Sequence, residues 1–324
     1  MTPHEAVLPV LRAFRTDPSP RGDGRTRHNF AVLARAAADA LDVARLAEAH
    51  LDALTVRYEI DGGTLPAGSC WGVYAAESGT DRVHAEHVAD GGWRLAGRKP
   101  FCSGAAGPCT HALVTAHADD GRRLFAVDLA AEGITVHPGD WRALGMRGSA
   151  AATVDLDDVV AEPVGGPAAY LDRPGFWHGA IAVAAAWYGG AVGVAAPLRR
   201  AGVDGRLDAH GLAHLGAVDA ALAAARAVLR EAAAVLDEGP VESVPVSRRR
   251  AMQVRAVVET AVESALARTG RALGPVPVVR DAEHAQRVAD LEVYVRQSHA
   301  ERDLATLGEL AGEAGDPGGE DLLL

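Results

Sequence analysis

The chain has 324 residues, of which 48% are hydrophobic, 23% charged and 5% aromatic. This length is too great for one small core and suits two or three structural layers or domains. The formal net charge of −11 argues against a nucleic-acid partner, because binding to phosphates needs a basic face.

The cysteines and the apolar segments bear on the cellular location of the protein. Cys70, Cys102 and Cys109 form neither a CxxC pair nor a zinc-binding spacing, so a reducing, cytoplasmic compartment is the simplest interpretation. The first residues, MTPHEAVLPVLRAF, lack the apolar core of a signal peptide. The most apolar run, 180–197, is interrupted by glycines and predicts a buried helix rather than a membrane span.

Residues 1–65 are predicted to be helical. Thr2 and Glu5 have the spacing of a capping box, with Pro3 at the first helical position. Residues 31–57 carry the apolar pattern of a helix, and glycines and prolines then mark a boundary.

Residues 66–165 change to the alternating pattern of β-strands. Asp90-Gly91-Gly92 and Asp119-Asp120-Gly121 each separate two alternating segments, which is typical of β-hairpins. Residues 152–163, ATVDLDDVVAEP, predict a further strand. Several strands without intervening helices favour an antiparallel barrel or sandwich.

Residues 166–310 return to a helical pattern and are predicted to form a bundle. The segment 217–238 is rich in alanine and apolar around most of its circumference, so we expect it at the centre of that bundle. Residues 311–324 form an acidic, glycine-rich tail that is expected to be flexible. The whole chain is thus predicted to be an α+β protein.

Capping residues predict two helix boundaries in the bundle. Ser247 is expected to cap a helix that stops at Gly270. Asp281 is expected to cap the next helix, which runs to Leu307.

Four stretches within residues 70–310 carry a family resemblance through their order and spacing. Residues 74–81, YAAESGTD, resemble a shortened "TEP…GSD" segment, and residues 92–107, GWRLAGRKPFCSGAAG, resemble a "G-x-K-x-[WF]-x-[ST]" strand end. Residues 143–163 are similar to a "GMR-x-[ST]…VP" block, and residues 287–303 resemble an "R-x-x-RD" helix. On these motifs the chain resembles the acyl-CoA dehydrogenase superfamily of flavoproteins.

The resemblance implies a fold and an FAD site. Family members have an N-terminal helical domain, here shortened, a middle β domain and a C-terminal four-helix bundle. By the match, Phe101 is the aromatic side chain beside the flavin ring and Ser103 donates a hydroxyl hydrogen bond to N5. The other residues implied at the cofactor are Tyr74, Ala75, Ala76, Glu77, Thr80, Cys102 and Gly104. The alternative interpretation is structural, with Phe101 in the core and Ser103 capping a turn.

Three departures from the family pattern concern the rest of the FAD molecule. Ala76 stands where the family has a threonine that reaches the flavin. The stretch 197–216 contains arginines but no "R-x-x-F" motif for the pyrophosphate. Residues 270–277, GRALGPVP, replace the glycine-rich turn that contacts the adenosine. The resemblance therefore supports the ring site more strongly than the remainder of the FAD site.

The catalytic base is expected at one of two positions. A dehydrogenase of this family removes the proton α to a thioester carbonyl while flavin N5 accepts the β hydride. The usual "EGT" triplet is absent, and His299 falls near its place, with Glu301 just beyond. The second family position, at the start of the first long bundle helix, carries His178. Imidazole can serve as a base near neutral pH, although pairing with a carboxylate or capping a helix would also explain either histidine.

The resemblance leaves three functions open. The main expectation is an FAD-dependent dehydrogenase that oxidises Cα–Cβ of an acyl thioester such as an acyl-CoA of fatty-acid metabolism. The alternatives are a flavin-dependent monooxygenase of the same fold and a non-catalytic binding or scaffold subunit that has lost FAD. The family places its cofactor at a subunit interface, so we expect a homodimer or homotetramer. No metal site is predicted, because His84 and His87 would face opposite sides of a strand.

Overall fold

The computed structural model describes residues 3–16, 24–88, 91–239 and 242–313. Three helices come first: α1 (Pro3–Ala13), α2 (Arg25–Asp39) and α3 (Leu41–Asp61). The predicted capping residue Thr2 lies outside the described residues. The helix predicted over 31–57 is divided in two, because Ala40 has an extended backbone that ends α2 and begins α3.

Seven strands follow, and five of them close into a barrel. They are β1 (Trp71–Tyr74), β2 (Val83–His87), β3 (Trp93–Cys102), β4 (His111–Ala118), β5 (Gly121–Asp128), β6 (Ile134–His137) and β7 (Ala152–Pro163). The closed ring runs β4–β2–β3–β7–β5 and back to β4, while β1 extends it beside β4 and β6 pairs with β7. Both predicted hairpins, β2–β3 and β4–β5, are antiparallel. Asp90 of the first turn lies outside the described residues.

The prediction of a wholly antiparallel sheet is wrong for two pairs of strands. Both β1 and β2 run parallel to β4. The order of the strands explains this. After β2 the chain turns into β3, which runs in the opposite direction and ends at the end of the barrel where β1 and β2 begin. Strand β4 therefore starts from that same end and runs parallel to both. Hairpin signals in the sequence report only pairs of strands that are adjacent along the chain.

Six helices complete the described chain. They are α4 (Pro174–Val203), α5 (Ala209–Glu238), α6 (Val244–Leu273), α7 (Val276–Arg280), α8 (Ala282–Tyr294) and α9 (Glu301–Glu313). The main hydrophobic core lies between the N-terminal helices and this bundle, and a second core fills the barrel.

The central helix of the bundle is α4, so the prediction that 217–238 lies at the centre is wrong. Each of the two helices contains an apolar 18-residue window. In α4, 72% of that window is buried, whereas in α5 only 22% is buried. Alanine explains the error, because it makes a helix apolar in composition yet buries little area and is tolerated at a surface. Both helices have the length and composition of a membrane span, and the burial of α4 within the fold is what a core helix shows.

The helix containing Ser247 begins and ends one turn outside its predicted bounds. The N-cap is Ser243, and the Ser247 N–H donates to the Ser243 carbonyl oxygen over 3.0 Å. Proline within the first helical positions starts α6, and Gly274 follows its last residue. Gly270 lies inside the helix, where glycine costs about 1 kcal/mol relative to alanine without ending it.

The predicted cap at Asp281 is confirmed, but the helix that it starts does not reach Leu307. The Asp281 carboxylate accepts a hydrogen bond from a backbone N–H in the first turn of α8. The helical conformation is interrupted between α8 and α9, where Ala300 has a left-handed backbone with φ 48°. Ser298 stabilises the break, since its hydroxyl donates to Glu259 over 2.5 Å and accepts from the Ala300 N–H.

Candidate active site

The Phe101–Gly104 corner forms where β3 leaves the barrel. Phe101 has a left-handed backbone with φ 58°, and its side chain is 58% exposed. Such a conformation is unfavourable for a bulky residue and holds a large apolar ring in solvent. The following turn is fixed by backbone hydrogen bonds from Gly104 to Ser149 and from Ala106 to Ala150. The exposed position of this ring therefore lowers the stability of the fold, which favours a role for the ring in binding.

Ser103 and Cys102 are both buried but differ in their hydrogen bonds. Ser103 is 9% exposed, and no described residue forms a hydrogen bond with its hydroxyl. Cys102 is fully buried in the barrel, where its thiol donates to the Lys99 carbonyl oxygen, and burial raises its pKa far above the usual range. Of these two side chains, the Ser103 hydroxyl is the one that no described residue bonds, which makes it the candidate hydrogen-bond donor to a ligand.

A cavity of about 230 Å³ opens beside the Phe101 ring. Its other walls are the segment 140–143 and the first residues of β7. Trp141 supplies a second aromatic surface and is held by a hydrogen bond from its indole N–H to the Gly145 carbonyl oxygen over 3.0 Å. Arg142 supplies a positive charge at the same cavity, and Asp140 a carboxylate.

The backbone of residues 74–77, which the family resemblance implies at the cofactor, is held by two cations. Arg122 donates to the Ala75 carbonyl oxygen over 2.6 Å, and Lys99 donates to the Ala76 carbonyl oxygen over 3.4 Å. The Tyr74 side chain is buried in the barrel core, so only its backbone can face a ligand. Thr80 lies apart from this segment on an exposed turn.

Glu77 lies among three basic side chains. Its carboxylate is 2.9 Å from His117 Nε2, 3.4 Å from Arg122 and 3.6 Å from Lys99 Nζ. Burial opposes ionisation of Glu77, but the hydrogen bond from His117 and the two positive charges outweigh it and hold its pKa below the usual range. Burial also lowers the pKa of Lys99 to about 8, although Glu77 acts in the opposite direction.

This basic cluster escaped the sequence interpretation, although one signal pointed to it. Lys99 occupies the lysine position of the strand-end motif, and a lysine in a strand that closes a barrel must find buried partners. Its partners Ala76, Glu77 and Thr115 come from the segment after β1 and from β4, and are not near Lys99 in the sequence.

The ring end of a flavin fits the features of this corner. A flavin has a flat aromatic surface and a polar edge, and Phe101 and Ser103 offer an exposed ring and an unpaired hydroxyl two residues apart. The adjoining cavity adds Trp141 and Arg142. Of the predicted cofactor residues, 74–77 and 101–104 are brought together through Lys99.

A second cavity, of about 380 Å³, lies among α2, α3 and the start of α4. His178 lines it and lies 3.4 Å from the Ser247 hydroxyl through Nε2. Many of the other lining side chains are polar, namely Arg15, Thr16, Arg25, Thr26, Asn29, Asp52, Thr55, Tyr58, Glu59 and Thr64. The sequence interpretation placed His178 at the helix start but missed this polar surround, which is contributed by three other segments.

Two carboxylates of α3 that line this cavity share one buried arginine. Arg173 is buried and bonds Glu59 over 2.5 Å, and it also lies 3.7 Å from Asp52. Burial raises the pKa of Asp52, while the charge of Arg173 acts to lower it. These residues are far apart in sequence, so no motif could have indicated the pair.

His299 and Glu301 lie at the surface near the start of α9. The His299 side chain is 58% exposed, and both its backbone N–H and its Nδ1 are within hydrogen-bonding distance of Asp303. Glu301 is exposed in the first turn of the helix. Neither residue lines the cavities at Phe101 or His178. The structure thus places the two candidate histidines in different surroundings.

Comparison with solved structures gives several similar proteins, two of them solved with FMN. FMN-bound TdsC from Paenibacillus sp. A11-2 is 20% identical, with a TM-score of 0.75, covering 87% of this chain and 82% of that one. KijD3, solved with FMN and a dTDP-linked amino-keto sugar, is 19% identical, with a TM-score of 0.74, over 96% and 84% of the two chains. Methanesulfinate monooxygenase MsuC from Pseudomonas fluorescens is 19% identical, with a TM-score of 0.71, over 88% and 82%.

A steroid acyl-CoA dehydrogenase variant also matches, with 20% identity and a TM-score of 0.70 over 90% of this chain and 83% of that chain. No protein-family model matches the sequence, and comparison with curated proteins gave no match. The order of helices, barrel and bundle agrees with these solved structures along most of their length. The chain therefore has the fold of the acyl-CoA dehydrogenase superfamily, the family that its four motifs resemble.

Proposed function

We propose that this protein is a flavin-dependent oxidoreductase that works as a monooxygenase on a polar small molecule. The observation that carries the proposal is the corner at which Phe101 exposes its ring beside a cavity that Trp141 and Arg142 also line. Phe101 would pack beside the flavin ring, and Ser103 would donate a hydrogen bond to its polar edge. A bound flavin would supply two-electron transfer and, once reduced, reaction with oxygen.

FMN is the flavin that the chain favours, in place of the FAD expected from the family. The pyrophosphate and adenosine motifs are absent from the sequence, and FMN needs neither. TdsC and KijD3, two proteins of the same fold, were solved with FMN. Arg142, at the cavity beside Phe101, is a candidate for the phosphate of such a cofactor.

Monooxygenation is favoured over dehydrogenation by the monooxygenases among the solved structures and by the polar groups that reach the cavity at His178. Arginine, carboxylate, amide and hydroxyl side chains could bind the polar groups of a small substrate there, while the apolar part of the lining, Phe30, Leu51, Leu54, Ala182 and Leu236, could pack against the rest of it. Solved relatives in fold include a dibenzothiophene monooxygenase and a methanesulfinate monooxygenase. In this proposal His178 holds or moves a proton for a polar substrate.

Dehydrogenation of an acyl thioester is the second candidate. Asp52 lines the same cavity as His178, and a carboxylate is the usual base for removing a proton α to a thioester carbonyl. The steroid acyl-CoA dehydrogenase variant among the solved structures gives this alternative a precedent in fold. A cytoplasmic location and a homodimeric or tetrameric assembly are proposed for either enzyme.

The first experiment is a flavin titration of the purified protein, followed by flavin fluorescence. We expect saturable binding of FMN, tighter than that of FAD, and weaker binding to Ser103→Ala. Thr260→Ala serves as the matched control, because its hydroxyl is exposed on α6 and bonds the Ala256 carbonyl oxygen of the same helix. A colourless protein that takes up neither flavin would leave only the scaffold function.

The second experiment separates the two reactions. Under anaerobic conditions, bleaching of the bound flavin by a panel of acyl-CoA thioesters would establish dehydrogenation and overturn our first choice. We expect no bleaching. After chemical reduction, we expect oxygen consumption to yield an oxygenated product with polar candidate substrates and hydrogen peroxide without them.

A further inference from the structure

Two of the three cysteines lie side by side within the fold. Cys70 precedes β1 and Cys109 precedes β4, and their sulfur atoms are 4.0 Å apart. Both thiols are free and buried. The Thr110 N–H donates to the Cys70 carbonyl oxygen over 2.8 Å, which fixes the two segments as neighbours. A sequence separation of 39 residues hid this pair from any motif.

The pair lies directly beneath the turn that carries Ser103. Cys109 Sγ is 3.7 Å from the Ser103 carbonyl oxygen, and the Cys109 N–H donates to the Gly104 carbonyl oxygen over 3.0 Å. A Cβ added to Gly104 would clash with Cys109 Sγ. A movement of this sulfur therefore acts on the corner at which Phe101 and Ser103 are presented.

We propose that Cys70 and Cys109 are a peroxide-sensitive dithiol that closes to a disulfide beneath the Ser103–Gly104 turn. Closing the bond brings the sulfurs from 4.0 Å to about 2.05 Å, so one or both side chains must move by about 2 Å in total. Because the Cys109 sulfur lies against Ser103 and Gly104, a displacement of this sulfur would change the contacts of the turn.

The oxidation balances with hydrogen peroxide as the oxidant. One thiolate attacks a peroxide oxygen, so that an S–O bond forms, the O–O bond breaks and water leaves after protonation. The second thiol then attacks the resulting sulfenic acid, forms the S–S bond and releases a second water. Two thiols and one peroxide thus give one disulfide and two waters. The hydrogen bond from Cys109 lowers the pKa of Cys70 despite burial, which favours Cys70 as the first nucleophile.

A metal site is a poorer explanation of the pair. Among the described residues, no group of three or more histidine, cysteine or acidic side chains is arranged to hold a metal ion. A dithiol has no such requirement. Its oxidant would be supplied at the same corner if reduced flavin reacts with oxygen without oxygenating a substrate; this one step rests on the proposed function.

The test treats the purified, folded protein with hydrogen peroxide and blocks the remaining thiols with an alkylating reagent. We expect the number of free thiols to fall from three to one, and peptide mass spectrometry to find Cys70 linked to Cys109. Cys102→Ser is the matched control, because Cys102 is equally buried but faces backbone carbonyls. This variant should still form the link. Three surviving thiols, or a link to Cys102, would overturn the proposal.

Substitution of either partner completes the test. Cys70→Ser and Cys109→Ser should form no intramolecular disulfide, and Cys109→Ser should accumulate a sulfenic acid that a dimedone probe labels at Cys70. Alanine versions provide a second pair if a serine variant does not fold. Repeating the oxidation in denaturant should scatter the links among all three cysteines, and an unchanged pattern there would show that the fold does not direct the pair.

Flavin binding supplies the functional readout. We expect oxidised wild-type protein to bind FMN at least several-fold more weakly than reduced protein, with no such change in Cys70→Ser. Equal affinity of both forms would overturn the link between the dithiol and the corner. If reduced protein binds no flavin, the proposed function fails while the disulfide result stands by itself.

Discussion

Lys99 Nζ lies 3.0 Å from the Thr115 hydroxyl, and the lysine side chain is fully buried where β3 and β4 approach each other. Burial lowers the pKa of Lys99 to about 8, whereas an unfolded chain gives lysine a pKa of about 10.4. Between these values the unfolded state binds more protons than the folded state. The stability of the protein should therefore rise with pH in this window.

The expected pH effect is measurable against Lys99→Met. The free energy of unfolding of the wild type should gain about 2 kcal/mol relative to the variant between pH 8 and pH 10. Urea unfolding at several pH values gives this difference. Arg94→Met is the control, because a guanidinium that pairs with Asp158 stays charged throughout this range, and the slope of this variant should match the wild type. Parallel curves for wild type and Lys99→Met would contradict the shifted pKa.

Substitution of Phe101 should separate stability from flavin binding. Phe101→Gly should stabilise the protein without cofactor by about 1 kcal/mol, because glycine accepts the left-handed backbone at φ 58°. Flavin affinity should fall about tenfold with the loss of the aromatic ring. Val160→Ala, at another exposed apolar side chain, should leave affinity unchanged. If Phe101→Gly lowers stability by several kcal/mol, the ring is a core residue and not a ligand surface.

Gly104 and Cys109 should be energetically coupled. Gly104→Ala should cost about 3 kcal/mol, since it places a Cβ at a positive φ and against the Cys109 sulfur. In a Cys109→Ala background the sulfur is gone, and the cost should fall to about 1 kcal/mol for the backbone strain that remains. Thermal or urea unfolding of the four proteins in this cycle measures the coupling. Strict additivity would show that the neighbouring sulfur has no effect on the turn.

The two predicted histidines should respond differently to substitution. His178→Ala should lower turnover about 100-fold with little change in flavin affinity, because His178 lines the polar cavity and can act on a proton there. His299→Ala should change neither quantity, because its exposed ring bonds Asp303 at the surface. The readout is the rate at which oxygen reoxidises the reduced, flavin-loaded enzyme, with and without substrate. Loss of turnover in His299→Ala alone would assign the role to that residue.

Local signals determined much of this protein from the sequence alone. The turns at 119–121 and near 91, the cap at Asp281 and the strand over 152–163 each depend on residues that are neighbours along the chain. The resemblance of the four motifs to the acyl-CoA dehydrogenase superfamily implied the same order of helices, barrel and bundle.

Tertiary structure alone decided which residues share an environment. The parallel pairing of β1 with β4 brings Cys70 beside Cys109, and the closed barrel brings Lys99 to Thr115. Tertiary packing also places α4 at the centre of the bundle, and it places His178 and His299 in different surroundings. The burial and the contacts of a side chain depend on which distant segments pack together, and the spacing of residues along the chain does not specify that packing.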